Sequence, residues 1–186
     1  MGRIVVTEFI SLDGVIEDPG GAEGFKHGGW SFAIPRSDDG DKYKLDETLN
    51  SEALLLGRRT YEGFSKAWPN MKDDVGFADK FNSMPKYVVS STLTDPSWNN
   101  SKVISLDDVP GIRDQASGDV VVHGSAQLAQ GLFARDLVDE WRLMVYPIVL
   151  GSGKRLFAEM DDKKALKLAS SQKVGEGIAI LTYTAG

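Results

Sequence analysis

The stretch Asp119–Leu128, with the sequence DVVVHGSAQL, is the centre around which the chain is organised. Val120–Val122 follow a Ser-Gly break and predict a short buried strand. His123-Gly124 then turns the chain, and Ser125 is predicted to cap the helix that follows. Such a turn directs unpaired N–H groups and the positive end of a helix dipole at one point, which suits a phosphate. Taken alone, however, the stretch is more typical of an ordinary strand–helix connection.

A second stretch has the same design. Ala53–Leu56 predict a short buried strand, and Gly57-Arg58-Arg59-Thr60 opens the next helix. Glycine lets the backbone approach an anion, and two guanidinium groups can hold that anion in a fork. The alternative is a pair of surface arginines after a strand. The combination of Gly-x-x-Thr with two arginines favours the anion site.

The third stretch is Ser90-Ser91-Thr92, which follows a strand predicted over Lys86–Val89. Three hydroxyl groups can donate to phosphate or ribose oxygens, although they are equally compatible with turn chemistry before Asp95-Pro96. In open α/β sheets, ligands bind at the carboxyl ends of the strands. Because all three stretches follow strands in this way, we expect them to share one site.

Composition limits the possible classes of function. The 186 residues, 41% of them hydrophobic, are sufficient for one domain over residues 1–186 with a substantial core. A net charge of −6 argues against extensive nucleic-acid binding. The absence of cysteine excludes disulfides and thiolate catalysis, and with only two histidines we expect no metal site. No apolar run is long enough for a membrane span, so we expect a soluble, cytoplasmic protein with a small-molecule partner.

The remaining pattern predicts alternating strands and helices. Strands are expected over residues 3–10, 102–105 and 137–148, helices over 42–52, 75–84 and 107–115, and a C-terminal hairpin over 166–183. Residues 17–35 form a glycine-rich segment of the length typical of a lid or a binding loop. Trp30 within it either fills the edge of the core or lines a pocket for a flat ligand.

The order of the motifs resembles that of a known family. The motifs are SLDG from Ser11, LGRRTY from Leu56, VSSTL from Val89, HGSAQL from His123, LVDEWRL from Leu137 and PIVLGSGKRLF from Pro147. This order is similar to that of the RibD C-terminal domain reductases, within the dihydrofolate reductase-like fold. The resemblance implies an α/β fold with a central, mostly parallel, twisted sheet of about eight strands, helices on both faces and a C-terminal β-hairpin.

The resemblance also implies NADPH as the hydride donor. By motif, Gly57, Arg58, Arg59 and Thr60 would hold phosphate groups, and Ser90, Ser91 and Thr92 would contact the adenosine 2′-phosphate region. Gly124, Ser125, Ala126, Gln127 and Leu128 would cradle the pyrophosphate, and Ile16 would lie near the nicotinamide. The family often has a second glycine where His123 stands, and we expect His123 to act as a backbone donor and not as an acid.

The reacting end is open to two interpretations. Hydride transfer to a C=N or C=O bond requires a proton at the far atom. By analogy with folate reductases, Asp41 at the start of a helix is one candidate donor, with Phe9 and Trp30 contacting the substrate. Asp13 is the other candidate, although an Asp-Gly turn explains it equally well.

These features together predict an NADPH-dependent oxidoreductase that reduces a small heterocycle of pterin or pyrimidine type. A carbonyl or nitro reductase of broad specificity, and a nucleotide-binding module without turnover, are the alternatives. The strand over 137–148 and the C-terminal hairpin could also pair two subunits into a homodimer.

Overall fold

Eight strands and five α-helices account for the architecture of the computed structural model, which describes residues 1–160 and 162–186. The strands are β1 (Arg3–Ser11), β2 (Ser51–Gly57), β3 (Lys86–Val89), β4 (Ser101–Ile104), β5 (Asp119–His123), β6 (Glu140–Tyr146), β7 (Leu166–Val174) and β8 (Ile178–Ala185). The helices are α1 (Ser37–Asn50), α2 (Arg58–Ala67), α3 (Phe77–Ser83), α4 (Val109–Gln115) and α5 (Ala126–Ala134). Single 3₁₀ turns lie at Trp30–Phe32, Trp68–Asn70 and Leu106–Asp108.

All eight strands form one mixed sheet with the order β4-β3-β2-β5-β1-β6-β8-β7. The first six strands in this order are parallel, and β8 and β7 add to β6 as an antiparallel hairpin. Helical connections are the usual way to join parallel neighbours, and they bury both faces of a parallel sheet. The predicted sheet, with its C-terminal hairpin, is therefore confirmed.

Alternate strand residues serve different cores, as the period of a strand requires. Leu55 packs in one buried cluster with Val120 and with Leu132 of α5, on the face that α4 and α5 cover. Leu54 packs in a second cluster with Phe81 of α3, on the face that α1, α2 and α3 cover. The sheet thus has helices on both faces, with the carboxyl ends of its parallel strands left at one edge.

Helix α1 differs most from the prediction. It begins at Ser37 and not at Lys42, and its buried residues include Glu47 and Thr48, whereas Leu49 is 42% exposed. The reason is the surface beneath it: Glu47 accepts a hydrogen bond from Thr7 of β1 at 3.0 Å, so this helix packs partly through polar contacts. A hydrophobic pattern cannot locate a helix of this kind.

Other boundaries shift by a few residues. Strand β6 spans Glu140–Tyr146 and stops before Pro147, where the absent N–H prevents further pairing. The helix predicted over 107–115 is a 3₁₀ turn followed by α4. Within residues 1–160 and 162–186, no helix has the length and apolar character that crossing a membrane requires.

Candidate active site

A groove of about 1290 Å³ crosses the carboxyl ends of the parallel strands. It is lined by all the residues for which we predicted contact with the dinucleotide, namely Ile16, Gly57–Thr60, Ser90–Thr92 and Gly124–Leu128. Three separate parts of the chain thus converge on one site. The strand order is the cause, because β5 lies between β1 and β2, and β3 lies next to β2.

The first turns of α2 and α5 are joined by one side chain. The Ser125 hydroxyl accepts a hydrogen bond from the Gly57 N–H at 2.8 Å and donates to the Thr60 hydroxyl at 2.7 Å. Ser125 therefore does not cap its own helix, as we had predicted, and it adopts a left-handed conformation with φ of 60°. Neither helix start has a side-chain cap, so the N–H groups of both first turns remain available to an anion.

Two glycines allow this close approach. A Cβ atom on Gly57 would lie 2.8 Å from the Ser125 hydroxyl oxygen, and one on Gly124 would lie 3.0 Å from that of Thr60. Gly124 also has φ of 57°, a region that residues with a side chain rarely adopt. Any other residue would push the two helix starts apart and fill the cradle between them.

Hydroxyl and guanidinium groups line the groove next to this cradle. The Arg58 guanidinium donates to the Thr92 hydroxyl at 2.7 Å and pairs with Glu62 at 2.7 Å. Arg59 is exposed, and it forms no salt bridge with any residue that the structure describes. Ser90 has the turn role that we weighed, because its hydroxyl accepts from the backbone N–H groups of residues 92 and 93. Two guanidinium groups and three hydroxyl groups thus line this part of the groove.

Asp13 and Asp41, the two predicted proton donors, lie away from the groove lining. Asp13 accepts hydrogen bonds from the Ser11 hydroxyl at 2.6 Å and from the Gly151 N–H at 2.8 Å. The Ser11 contact, more than the backbone contacts, lowers the pKa of Asp13 to about 2, so this carboxylate stays ionised and fastens two loops together. Asp41 lies inside α1, is 64% exposed and pairs with Arg36 at 2.9 Å.

The two residues predicted to contact substrate are placed differently. Phe9 lines the groove. Trp30 is 3% exposed, packs edge-on against Tyr146 with ring centroids 5.4 Å apart, and donates its indole N–H to the Glu17 carbonyl at 2.9 Å. It therefore fills the edge of the core, while its neighbours Ser31 and Phe32 line the groove. The glycine-rich segment is thus one wall of the site.

Glu8 is the carboxyl group that the groove does contain. It lies on β1, is 5% exposed and lines the groove, and its Oε1 atom has no hydrogen-bond partner among the described residues. Burial raises the pKa of Glu8 well above its usual range, and the opposing effects of the Lys44 ammonium and the Gly124 N–H do not compensate. Sequence analysis missed this residue, although a glutamate within the apolar run of β1 was a visible signal.

Around Glu8 lies a cluster of buried polar side chains. Lys44 donates to the Thr7 hydroxyl at 2.8 Å and forms a salt bridge with Glu47. Burial is the largest single effect on Glu47 and opposes its ionisation, but the charge and hydrogen bond of Lys44 and other nearby positive charge together lower the pKa. His123 is neutral, because burial and then the positive charge of Lys44 lower its pKa to about 3. The expectation that His123 is not an acid agrees with this environment.

The sheet order and the groove at the strand ends define the dihydrofolate reductase-like fold. The chain belongs to the RibD C-terminal domain family, whose model matches residues 3–180. Among Bacillus subtilis (strain 168) proteins, the uncharacterized protein YyaP is 27% identical over 97% of this chain and 94% of its own length. The uncharacterized protein YwjB of the same strain is 23% identical over 92% and 91%.

Solved structures show the same fold. A Shewanella sp. PV-4 protein, provisionally named a riboflavin biosynthesis protein, has a TM-score of 0.78 at 20% identity, with 99% of each chain covered. Acinetobacter baumannii RibD has a TM-score of 0.66 at 15% identity over 100% of this chain and 58% of its own. Enterococcus faecalis dihydrofolate reductase, complexed with NADP(H), has a TM-score of 0.59 at 17% identity over 99% of this chain and 96% of its own.

Proposed function

We propose that this protein is an NADPH-dependent reductase that transfers a hydride to a small heterocyclic substrate. The observation that carries the proposal is the Ser125 bridge, which holds the uncapped starts of α2 and α5 at one point of the groove. Two converging helix starts favour a diphosphate, because each supplies free N–H groups and a positive dipole end. The NADP(H) complex of the related fold in Enterococcus faecalis supports the same assignment.

The groove fits such a ligand in size and in chemistry. Its volume of about 1290 Å³ exceeds the roughly 300–1,000 Å³ of an ordinary small-molecule pocket. This leaves room for a dinucleotide and a second small molecule side by side. Gly57–Thr60 and Gly124–Leu128 would hold the pyrophosphate, and Ile16 would lie by the nicotinamide.

The arginines favour NADPH over NADH. Arg58, Arg59 and the hydroxyl groups of Ser91 and Thr92 offer donors and positive charge to the additional 2′-phosphate. Since Arg58 is already held by Thr92 and Glu62, its guanidinium is positioned before any ligand arrives. Preorganised donors of this kind increase affinity because little side-chain freedom is lost on binding.

Bound NADPH would supply the hydride, and the chain would supply the proton. Burial raises the pKa of Glu8 well above its usual range, Glu8 is one of the groove-lining residues, and its buried Oε1 has no partner among the described residues. It can donate a proton to the nitrogen or oxygen of a C=N or C=O bond while the carbon receives the hydride. Solvent then reprotonates the carboxylate. The pKa of Asp13 is too low for this role, and Asp41 lies outside the groove lining.

Glu8 also favours an enzyme over a binding module without turnover. A buried carboxyl group with an unpaired oxygen costs stability, since no residue that the structure describes replaces the water contacts that it lost. A protein that only binds a nucleotide gains nothing from this arrangement. Oxidation of NADPH on addition of a dihydropterin, followed by the absorbance of the reduced cofactor, separates the two functions.

The cofactor assignment is tested by the double variant Arg58→Ala/Arg59→Ala. We expect the Kd for NADPH to rise by about 10–100-fold, because charged contacts to the 2′-phosphate are lost. The Kd for NADH should change by less than about threefold, since NADH lacks that phosphate. Arg135→Ala, an exposed arginine paired with Asp107, is the control. Equal weakening of both nucleotides would remove the 2′-phosphate assignment.

A further inference from the structure

One side of the groove is a wall of apolar side chains that the cofactor assignment does not use. We call it the aromatic wall; it consists of Phe64, Trp68, Met71, Phe77 and Phe81. The rings form a continuous surface: Trp68 and Phe77 are stacked with centroids 5.2 Å apart, and Phe77 and Phe81 are stacked at 4.9 Å.

Core packing explains only part of this surface. Phe81 is 1% exposed and belongs to the same buried cluster as Leu54, Leu56 and Val88, and the other three rings pack against that cluster from the groove side. Phe64, Trp68 and Phe77 are only partly buried, and Met71 is 48% exposed. Apolar area left in water forgoes about 25 cal/mol per Å² of stabilisation, so several such side chains along one groove indicate a surface that a ligand covers.

The aromatic wall lies beside the reacting end and not beside the phosphate cradle alone. The His123 ring is 5.4 Å from that of Phe81 and 6.4 Å from that of Phe64, measured between centroids. His123 pairs with Thr7 across β5 and β1, so these two side chains lie on the same face of the sheet as the wall. Lys44 donates to the Thr7 hydroxyl, and its charge also acts on Glu8, so the wall and Glu8 border the same polar cluster.

Further apolar surface lines the same groove. Phe9 has the Arg36 guanidinium 5.0 Å and the Lys44 ammonium 5.5 Å from its ring centroid, which fixes the ring by cation–π attraction. Phe32, on the glycine-rich segment, is 72% exposed and lines the groove. Both cations are themselves paired, Arg36 with Asp41 and Lys44 with Glu47. This end of the groove therefore presents ring faces more than unpaired charge.

We infer that the substrate is a planar, apolar, conjugated ring system with a reducible carbonyl or imine, and not a phosphorylated or polyhydroxylated sugar derivative. The inference rests on the proposed function for the reaction. The ring lies against the aromatic wall, the hydride from NADPH forms the new bond to carbon, and Glu8 gives its proton to the oxygen or nitrogen. NADPH is oxidised and the ring system is reduced by two electrons.

Trp68 supplies the measurement, since Trp30, Trp98 and Trp141 are at most 4% exposed. The protein, saturated with NADP⁺, is titrated with 2-methyl-1,4-naphthoquinone while its tryptophan fluorescence is followed. We expect saturable quenching, a Kd about tenfold weaker for Trp68→Ala by calorimetry, and a change below about threefold for Trp68→Phe, which keeps a ring face. Leu168 is an exposed apolar residue of β7 outside the groove, so Leu168→Ala is the control for non-specific binding of the quinone to apolar surface.

Three results would overturn the inference: an unchanged Kd for Trp68→Ala, displacement of the quinone by ribose 5-phosphate, or full quenching by NADP⁺ alone. NADPH binding to each variant verifies that it is folded. If NADPH binds to the wild type and the quinone does not, the inferred substrate class is wrong, but the proposed NADPH-dependent function is not contradicted. If the quinone binds at Trp68 and NADPH does not bind, the proposed NADPH-dependent function is wrong, whereas the aromatic wall is still a binding site for planar rings.

Discussion

At the scale of single residues, the main feature is a buried carboxyl group in the groove lining, whose pKa burial raises. The structure gives Glu8 almost no exposure and leaves one of its oxygens without a partner in the described part of the chain. Sequence alone directed attention to Asp13 and Asp41, because aspartates at turns and helix starts are typical of active sites and equally of ordinary loops. Burial, which the sequence does not display, separates these cases.

Replacing Glu8 by Gln tests this environment without altering its shape. The pKa of Glu8 in the folded protein is raised above its unfolded value of about 4.3. Its contribution to the free energy of unfolding is therefore fully present below the unfolded pKa and is lost as the pH rises through the folded pKa. The Gln variant does not ionise. We therefore expect equal free energies of unfolding near pH 4 and a gain on the order of 1 kcal/mol or more for Glu8→Gln at pH 8.

Urea denaturation across this pH range measures the difference, with Glu176→Gln on the exposed β7–β8 turn as the control. The same variant should lose about 10²-fold or more in turnover, the usual worth of a general acid, while its Kd for NADPH stays the same. A variant that gains no stability at alkaline pH would show that Glu8 is not held neutral. A variant that gains stability at alkaline pH but keeps full turnover would show that another group donates the proton.

At the scale of elements, one hydroxyl group connects two helices that are remote in sequence. Ser125→Ala removes the acceptor of the partly buried Gly57 N–H and the donor to Thr60. We expect a loss of about 1–2 kcal/mol in the free energy of unfolding and weaker binding of both NADPH and NADH, since the two helix starts lose their alignment. Chemical denaturation and nucleotide titration measure these effects.

A double-mutant cycle with Thr60→Ala isolates the bridge. The two substitutions should be less than additive by about 0.5 kcal/mol or more, because each already breaks the same contact. Ser83→Ala, an exposed serine of α3, serves as the reference for loss of a hydroxyl group. Strict additivity would mean that the bridge does not couple α2 and α5.

Elements were predictable where apolar periodicity was strong. The buried strands β2, β3 and β5 and the hairpin of β7 and β8 were found within about two residues, because short apolar or alternating runs bounded by turn residues have few alternatives. Helix α1 was misplaced because its buried face carries Glu47 and Thr48. Ser125 was predicted as a cap because the sequence does not reveal that the Gly57 N–H would compete for its hydroxyl.

At the scale of the whole molecule, the sheet order decides where the ligand binds. The dinucleotide residues were predictable as three separate stretches, but that they meet depends on β5 lying between β1 and β2. The resemblance to the RibD C-terminal domain implied a mostly parallel sheet of about eight strands, but the order of the strands is known from the structure alone. The aromatic wall was not predicted, because Phe64, Trp68 and Phe77 have the spacing of ordinary core residues.

A ligand that several elements share should stabilise the whole fold. With free NADPH at 100 times its Kd, linkage predicts about 2.7 kcal/mol of added stability. For a chain of this size, the melting temperature should rise by about 5–10 °C. NADH at the same concentration should produce a clearly smaller rise, because it lacks the 2′-phosphate. Thermal denaturation with each nucleotide is the measurement, and identical shifts would argue against selection of NADPH.

The central place of β1 in the sheet has a consequence for how the chain is made. Strand β1 precedes the other seven strands of the sheet and pairs with β5 and β6, and Arg3 contacts Asp119 across 116 residues of chain. Contacts between residues this far apart in sequence form slowly, because the entropy of closing a long loop is lost before the contacts can stabilise the structure. Nucleotide binding should therefore be among the last properties to return on refolding, and a nascent chain that lacks residues beyond β5 should keep its apolar first strand open to chaperones.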